Sequence, residues 1–290
     1  MEHLHAYRFL TAPQLVRLGV ASHINSLRRT LRRFETGRKY VDWAEFGVLP
    51  QIGRLPRVYY LTERGARYLA EAWRVEPAEI NYPRGVKLFS RDYFHRGATI
   101  DFHIELRRFA EQHGLTVEFF HSYFDTAGAN RNEHPADRLR HLSKVPLEDS
   151  FFIPDAIFAV HAPDRSRYLY ALEVYNGIDT KRVYAQLERH LVALGEGRIS
   201  ELYGYPKTHR VLCVFETVSA LQAAVRRLCE DAAFTDQMRQ QFAFSTLAEL
   251  RTGFAAGWYF LTPGHRTIFD SSPPVSPDSD VRQVVERLPV

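Results

Sequence analysis

Residues 151–175 read FFIPDAIFAVHAPDRSRYLYALEVY, two apolar runs joined by a turn that contains Pro and Asp. The β-branched and aromatic residues on each side of the turn predict two adjacent strands, Phe151–Val160 and Arg167–Tyr175. Each strand carries one acid, Asp155 or Glu173, at a position where an unpaired carboxylate is rare because burial disfavours its charge. Two acids on neighbouring strands can hold one divalent cation, so this stretch predicts a sheet that carries a metal site.

The expected ligands of that site are Asp155 and Glu173, and the expected ion is Mg²⁺ or Mn²⁺. Mg²⁺ prefers hard oxygen ligands and keeps several waters, so two carboxylates are enough to bind it. Such an ion lowers the pKa of a bound water and neutralises charge on a phosphodiester. Gln186, on the predicted next helix, faces the same sheet edge and is a candidate contact for the attacking water or a phosphate. The plainer alternative is that Asp155 caps a turn and Glu173 pairs with an arginine such as Arg167 or Arg182.

The composition is that of an ordinary globular protein: 290 residues, 45% of them hydrophobic and 25% charged, enough for two domains. Two cysteines are too few for a disulfide framework and fit a reducing compartment. The sequence shows no signal peptide and no apolar stretch of membrane-spanning length, so we expect a cytoplasmic protein with no membrane partner.

The net charge of +4 is unevenly distributed along the chain. Residues 1–84 carry a net charge of +6, whereas the remainder carries −2. A basic first part followed by a slightly acidic second part indicates that the first part meets a polyanion. A solvated basic face is the alternative explanation.

The first 74 residues predict a winged helix-turn-helix domain. Thr11 is a candidate N-cap, with Pro13 in the first turn and Gln14 three residues after the cap, and Thr62 opens the last helix. The predicted order is three helices, a two-stranded hairpin and a final helix: Leu4–Leu10, Ala12–Leu18, Ser22–Glu35, Tyr40–Trp43 with Arg57–Leu61, and Thr62–Ala72.

The third predicted helix, capped by Ser22, is the candidate recognition helix for double-stranded DNA. Its apolar stripe is Ile24, Leu27, Leu31 and Phe34, and the remaining positions hold arginines and short polar residues. Arginine suits phosphates and guanine edges, and asparagine suits adenine edges. The candidate DNA-binding residues are Ser22, Asn25, Ser26, Arg28, Arg29, Arg32 and Arg33 on the helix, with Arg54 and Arg57 on the wing.

The remaining sequence predicts a second domain after a linker. Residues 75–91 contain prolines and a glycine and are the expected linker, and residues 271–290 form an expected Pro/Ser-rich tail. Between them, residues 92–270 predict a helix, three strands, a helix and a further strand at Arg210–Phe215, with a polar loop at 125–149. A helix at Val218–Ala233 and a short terminal strand are expected to follow. The fold class is therefore expected to be α+β or α/β.

The αβββαβ order and the motif Pro154-Asp155 followed by Glu173-Val174-Tyr175 resemble the PD-(D/E)XK nuclease superfamily. The resemblance implies that Glu105, on the first helix of the domain, assists Asp155 and Glu173. It also implies a lysine two residues after the glutamate, where this sequence has Tyr175. Lys181, at the start of the next helix, is the candidate displaced lysine. Tyr175 cannot supply the positive charge of that lysine. The substitution therefore argues against cleavage more than against DNA binding.

The whole arrangement resembles the replication-relaxation family of plasmid and mobile-element proteins over about residues 5–195. Four segments carry the resemblance: Phe9–Leu15, Leu27–Phe34, Arg57–Gly65, and Ile153–Ala156 followed by Leu172-Glu173, with His95 at the start of the second domain's helix. The family implies a role in plasmid replication, copy control or DNA mobilisation, with DNA as the partner.

Three functions remain open from the sequence. The first is a DNA-binding accessory protein whose nuclease-like domain is structural or degenerate, and we favour it because of Tyr175. The second is an active Mg²⁺-dependent nickase or endonuclease. The third is an assembly module that binds other proteins. Other replication or mobilisation proteins are candidate partners, and a homodimer is usual for helix-turn-helix proteins that read palindromes, although the sequence shows no dimer seam.

Overall fold

The computed structural model describes residues 1–83, 92–127, 140–177, 180–231, 234–235, 239–261 and 268–269. The chain divides into two units, Met1–Ile104 and Glu105–Val290. Parts of the expected linker, of the expected polar loop and of the helix expected at Val218–Ala233 lie outside the described residues, as does the whole expected tail. The architecture is mixed α and β, as the sequence predicts. No described helix combines the length and the apolar character that a membrane span requires.

The first unit contains, among its described residues, four short α-helices, the first part of a long helix, and five short strands. In chain order its elements are α1 Glu2–Tyr7, β1 Leu10–Thr11, α2 Ala12–Arg17, α3 Ile24–Arg32, a π-helix Arg33–Arg38, β2 Val41–Ala44, β3 Val48–Leu49, β4 Gly53–Arg54, β5 Val58–Leu61, α4 Glu63–Trp73, a 3₁₀ turn Pro77–Glu79, and α5 Tyr93–His113.

Helices α2 and α4 begin with the predicted threonine caps, Thr11 and Thr62. The Thr11 side chain accepts from the Gln14 backbone and the Gln14 side chain accepts from the Thr11 backbone, which completes a capping box. The Thr62 hydroxyl oxygen accepts a hydrogen bond from Gly65 N at 3.0 Å. These caps satisfy backbone N–H groups that have no partner within the helix.

The third helix differs from its prediction at both ends. It begins at Ile24 with extended His23 at the N-cap, and no side chain caps it, so Ser22 lies outside the helix. It ends as an α-helix at Arg32 and continues as a π-helix to Arg38, after which Lys39 adopts a left-handed φ of 53°. The wider π turn changes the direction of every side chain from Arg33 onward relative to a continuous α-helix.

A three-stranded antiparallel sheet in the order β1-β5-β2 closes the first unit. Phe9, Val58 and Tyr60 form a core beneath it, against which Tyr93 packs. Asp101, also on α5, accepts a hydrogen bond from Gln14 at 2.8 Å and pairs with Arg17. These contacts place the beginning of α5 in the first unit, whereas the sequence pattern predicts that the second domain begins at residue 92.

The second unit is built on a six-stranded mixed sheet in the order β15-β14-β13-β12-β11-β6. Strands β6, β11 and β12 pair antiparallel, β12, β13 and β14 pair parallel, and β15 is antiparallel to β14. The elements after α5 are β6 Thr116–Ser122, β7 Thr126–Ala127, β8 Arg140–His141, β9 Val145–Pro146, β10 Phe151–Phe152, β11 Ala156–His161, β12 Arg167–Tyr175, α6 Thr180–Gly195, α7 Arg198–Tyr203, β13 Arg210–Phe215, α8 Val218–Glu230, β14 Phe242–Thr246, α9 Leu247–Thr252 and β15 Tyr259–Phe260.

The two faces of this sheet bury different side chains. One face packs against α6 and α8 through a core that includes Leu187, Leu221, Cys213 and Phe244. On the other face Tyr170 donates a hydrogen bond to the Ile268 carbonyl at 2.9 Å. Because side chains alternate along a strand, odd-numbered residues of β12 face α6 and even-numbered residues face away from it.

The strand expected at Phe151–Val160 is interrupted. Phe151–Phe152 pairs with β9, outside the central sheet. Pairing within the central sheet begins at Ala156. Pro154 lies in the break because it has no N–H to donate to a ladder, and its carbonyl instead accepts from the Ser143 hydroxyl at 3.0 Å. Asp155 therefore precedes strand β11 rather than lying within a continuous strand.

Gly65 is required by a close approach at the start of α4. A Cβ built on Gly65 would lie 2.0 Å from the Tyr40 carbonyl oxygen. We predict that Gly65→Ala lowers the free energy of unfolding by about 2–3 kcal/mol, the usual cost of overpacking, as measured by urea denaturation.

The matched control is Gly97→Ala, since Gly97 lies within α5 and a Cβ there meets nothing within 4 Å. We expect this variant to be stabilised by about 0.5–1 kcal/mol through helix propensity. Equal effects of the two substitutions would contradict the steric explanation.

Candidate functional site

The carboxyl pair of the second unit is positioned by strand register. Ala156 pairs with Leu172 in the antiparallel ladder of β11 and β12, so Asp155 lies opposite Glu173. Side chains of directly opposed residues project to the same face of a sheet with Cβ atoms about 5 Å apart. Asp155 Oδ2 accepts a hydrogen bond from Val174 N at 2.7 Å, and the two acids are only 6% and 1% exposed. The structure thus brings the two acids together and buries both.

Glu173 is also bonded to two side chains of helix α6. His190 Nε2 lies 2.7 Å from Glu173 Oε1, and Gln186 Nε2 donates to Oε2 at 3.3 Å. Gln186 was expected at this face, whereas His190 was not predicted. The sequence did contain a signal for His190: it follows Gln186 by four residues, and residues four apart on a helix share a face.

The protonation of this cluster follows from its burial. Burial raises the pKa of Glu173 well above its ordinary value, and the neighbouring charge of Asp155 and a hydrogen bond to its carboxyl raise it further. Burial also lowers the pKa of His190 well below its ordinary value, as does His209. Both shifts favour the neutral forms of the 2.7 Å contact between His190 and Glu173, a distance that would also suit an ion pair.

Tyr175 occupies the position where the superfamily motif has lysine. It is 6% exposed, and its ring lies 4.8 Å from that of Phe215. Burial raises the pKa of its hydroxyl well above the usual value, and within the described residues that hydroxyl has no hydrogen-bond partner. Tyr175 therefore packs as a core residue and supplies no positive charge.

Lys181, the predicted displaced lysine, is not brought to the acid pair. It is exposed at the start of α6 and makes no ion pair or hydrogen bond within the described residues. Positive potential at Glu173 comes instead from Arg182 and Arg189, which lower its pKa against the larger effect of burial. The reason is helix geometry, because successive residues of a helix project about 100° apart.

Glu105 lines a cavity in the second unit. It bonds to Arg108 at 3.1 Å, and the cavity of about 300 Å³ is also lined by residues of the Leu250–Ala256 segment. Neither Asp155 nor Glu173 lines that cavity. The assistance of Glu105 to the acid pair therefore stays a prediction.

Arg167, a candidate partner of Glu173, instead pairs with Glu118.

The donor set does not fit a magnesium ion in this arrangement. Mg²⁺ requires near-octahedral oxygen coordination and keeps several waters, but the pair is almost fully buried and three of its oxygens accept or share hydrogen bonds. Burial also raises the pKa of Glu173, which disfavours the charged form that a cation ligand requires. Across the described residues, no cluster of three or more His, Cys, Asp or Glu is arranged to hold a metal.

A second candidate site lies in the first unit and is basic. A groove of about 730 Å³ is lined by two arginines of α3, Arg28 and Arg32, and by Arg54 and Arg57, which lie before β5. The two helical arginines are exposed, one turn apart. The structure therefore collects four of the nine predicted DNA-binding residues in one concave surface, which we call the arginine groove.

One acid, Glu45, holds the two non-helical arginines of the arginine groove. Glu45 Oε1 accepts from Arg54 at 2.5 Å and from Arg57 at 2.8 Å, and these hydrogen bonds lower its pKa. The Arg57 guanidinium lies 3.7 Å from the centre of the Trp43 ring, and Trp43 Nε1 donates to Glu35 at 2.7 Å. The arginines are positioned by contacts that leave them partly exposed.

The other predicted DNA-binding residues lie outside the groove. Ser22, Asn25 and Arg29 are exposed but do not line it. The Ser26 hydroxyl donates to the His23 carbonyl at 2.9 Å, and Arg33 lines a different cavity. Arg33 is separated from Arg32 because the π-helix begins between them.

Together, a small helical and β module with a basic groove and a mixed sheet with paired acids define a two-unit protein. The sequence profile of the replication-relaxation family matches residues 1–190. The chain belongs to the replication-relaxation family, which indicates a role in plasmid or mobile-element replication or relaxation. Neither the curated proteins nor the solved structures that were searched include a match to the chain.

The raised pKa of Glu173 makes the free energy of unfolding depend on pH. Because the folded-state pKa of Glu173 is raised, its contribution is fully present below the unfolded-state pKa near 4.5 and is lost as pH rises toward the folded-state pKa. We predict that Glu173→Gln, which mimics the neutral acid, gains stability relative to the unsubstituted protein as pH rises above the unfolded-state pKa. The expected gain is about 1.4 kcal/mol for each pH unit until the folded-state pKa is reached.

The measurement is the free energy of unfolding of both proteins between about pH 4.5 and pH 8, the range in which the glutamate is ionised in the unfolded state. A stability difference that does not change with pH would contradict a neutral Glu173. Glu188→Gln, an exposed substitution on helix α6, controls for the general loss of one acid.

Proposed function

We propose that this protein binds duplex DNA through its first unit as a winged helix-turn-helix domain, in plasmid or mobile-element replication or mobilisation. We further propose that its second unit is a nuclease-like domain whose carboxyl pair is structural. The observation that carries the first proposal is the arginine groove. Family membership supports the biological setting.

The arginine groove has the charge and the exposure that a phosphate backbone requires. Arg28 and Arg32 come from the candidate recognition helix, and Arg54 and Arg57 come from the candidate wing, so one ligand can contact both elements. DNA phosphates would replace Glu45 as partner of the wing arginines, an exchange favoured because the existing ion pairs are exposed and individually weak. Counterion release from DNA would supply much of the affinity.

Base recognition is assigned to the exposed polar side chains that lie beside the groove on α3. Asn25 and Arg29 are exposed on successive turns of the helix. Asparagine can bond adenine N6 and N7, and arginine can bond guanine O6 and N7, each bidentately. In this proposal the groove arginines position the duplex and the Asn25 face reads its sequence.

We predict that Arg28→Ala/Arg32→Ala weakens duplex binding and lowers the slope of log affinity against log salt by about two, one for each phosphate that is no longer neutralised. Fluorescence anisotropy of a labelled duplex at several salt concentrations measures both quantities. The duplex should carry plasmid-derived sequence and also be tested in scrambled form.

The matched control for this experiment is Arg67→Ala/Arg107→Ala, which removes the same charge. Arg67 pairs with Glu63 on the surface of α4, and Arg107 is exposed on α5, both outside the groove. We expect this control to bind nearly as the unsubstituted protein does. Equal weakening in the two double variants, or binding that is insensitive to salt, would contradict the proposal.

The argument for a non-cleaving second unit rests on the state of the acid pair. Burial and the neighbouring Asp155 raise the pKa of Glu173, and Tyr175 provides no charge where the superfamily has lysine. The order of elements from α5 to β13 and the cross-strand placement of Asp155 and Glu173 support descent from a PD-(D/E)XK-like fold. We propose that the pair was retained because it ties the sheet to helix α6.

A second candidate function is an active metal-dependent nickase or endonuclease, which the side-by-side placement of Asp155 and Glu173 favours. Our proposal predicts no Mg²⁺- or Mn²⁺-dependent nicking of supercoiled plasmid above the level seen with Asp155→Asn and Glu173→Gln. Agarose-gel separation of nicked and supercoiled plasmid provides the measurement.

Metal-dependent nicking by the unsubstituted protein that both isosteric variants abolish would establish the enzyme and overturn the structural role. Nicking equal in all three proteins would indicate a contaminating nuclease. Circular dichroism of each variant shows whether the fold is retained.

A further inference from the structure

The first unit contains a second cavity that the proposed duplex contacts do not use. Its volume is about 620 Å³, within the range of about 300–1,000 Å³ typical of ligand pockets. It lies at the end of α3, where the π-helix begins. We call it the aromatic cavity, and its lining residues include Arg33, Phe34, Gly37, Arg38, Tyr40 and Tyr68.

One wall of the aromatic cavity is a stacked pair of tyrosines. The rings of Tyr40 and Tyr68 are 4.6 Å apart and inclined by 23°, and Phe34 lies 6.3 Å from Tyr40. Tyr68 is 46% exposed even though one face of its ring is covered by Tyr40. A planar ring beside the cavity with an open face is a surface on which a nucleobase can stack.

The charged groups of the aromatic cavity are cations. Arg33 and Arg38 are both exposed, and within the described residues neither has an acidic partner. In this they differ from Arg54 and Arg57, which Glu45 holds. Two uncompensated guanidinium groups beside an aromatic wall suit a ligand that joins an anion to a planar ring.

The π-helix explains why this cavity exists. It places Arg33 and Arg38 at opposite ends of a widened turn, and the left-handed Lys39 then redirects the chain so that Tyr40 N donates to the Phe34 carbonyl at 2.9 Å. Gly37 contributes no side chain, and a Cβ there would meet nothing within 4 Å. Single π turns inside α-helices are frequent at functional sites.

The aromatic cavity and the arginine groove are adjacent. Thr36 lines both, and the neighbouring Arg32 and Arg33 line the groove and the cavity respectively. A nucleic-acid strand in the groove would therefore need to pass only Thr36 to reach the cavity. This adjacency favours a polymer strand over a free mononucleotide.

We propose that the aromatic cavity binds an unpaired nucleotide of single-stranded DNA, with its base stacked on Tyr68 and its phosphate between Arg33 and Arg38. The choice of DNA as the polymer rests on the proposed function. The protein would then hold a junction, with duplex in the arginine groove and the first unpaired nucleotide in the aromatic cavity.

The test compares three labelled probes by fluorescence anisotropy: a short oligo(dT), a duplex, and a duplex with a 3′ or 5′ oligo(dT) tail. We expect Tyr68→Ala to weaken oligo(dT) binding roughly tenfold, as removal of one stacking ring does, and to leave blunt-duplex binding within about twofold. Tyr68→Phe keeps the stacking ring and should bind oligo(dT) as the unsubstituted protein does.

Arg38→Ala provides an independent second variant, because Arg38 lines the cavity but not the groove. It should also weaken oligo(dT) binding and reduce its salt dependence, and not alter blunt-duplex binding. Thermal melting shows that each variant is folded; both side chains are exposed, so little change in stability is expected.

The outcomes separate this proposal from the proposed function. Oligo(dT) binding that is unchanged in Tyr68→Ala and Arg38→Ala, or absent from the unsubstituted protein, overturns the cavity assignment even if the duplex binds. Equal weakening of oligo(dT) and blunt-duplex binding in Tyr68→Ala also overturns it. Oligo(dT) binding that depends on Tyr68, without duplex binding, supports the cavity and contradicts the proposed function.

Discussion

The contact between the buried Asp155 and Glu173 carboxyls joins two central strands of the second unit to helix α6. It depends on the register of β11 on β12, since a slip of one residue would turn the buried face of either strand outward. From Glu173 the same network continues to Gln186 and His190 and so fixes helix α6 on the sheet. We propose that a proton rather than a cation relieves the repulsion between the two acids, since burial makes the charged form of Glu173 costly.

The charged side chains of the two units differ in their exposure to solvent. In the second unit the two acids that resemble a catalytic pair are buried and hydrogen-bonded. In the first unit the arginines of α3 stay exposed, and those of the candidate wing are held by an exposed acid that a phosphate can replace. Exposed cations cost little to maintain and interact strongly with a polyanion, whereas buried acids stabilise only when a proton or a partner compensates them. This contrast is why we assign DNA binding to the first unit and a structural role to the acid pair.

The sequence predicted much of the framework and less of the site. Strands Arg167–Tyr175 and Arg210–Phe215 agree with prediction because long runs of apolar, β-branched and aromatic residues favour a buried strand over other structures. The proximity of Asp155 and Glu173 follows from the pairing of two such runs. The π-helix and the placement of Arg33 were not predictable, since the chain after α3 is held by contacts of Tyr40 with Phe34 and Gly65 rather than by local pattern. Lys181 and Glu105 were assigned by resemblance, which suggests a role for a residue but does not say which way its side chain points from the helix. His190 was missed because its signal was only its four-residue spacing from Gln186.

The protonation state of the acid pair can be observed directly by infrared spectroscopy. The difference spectrum between the unsubstituted protein and Glu173→Gln at neutral pH reports the carboxyl group that the substitution removes. Our account predicts that the carbonyl stretching band of a neutral carboxylic acid disappears in the variant. A difference spectrum that contains only carboxylate bands would show that Glu173 is ionised, and would reopen the pair as a cation site.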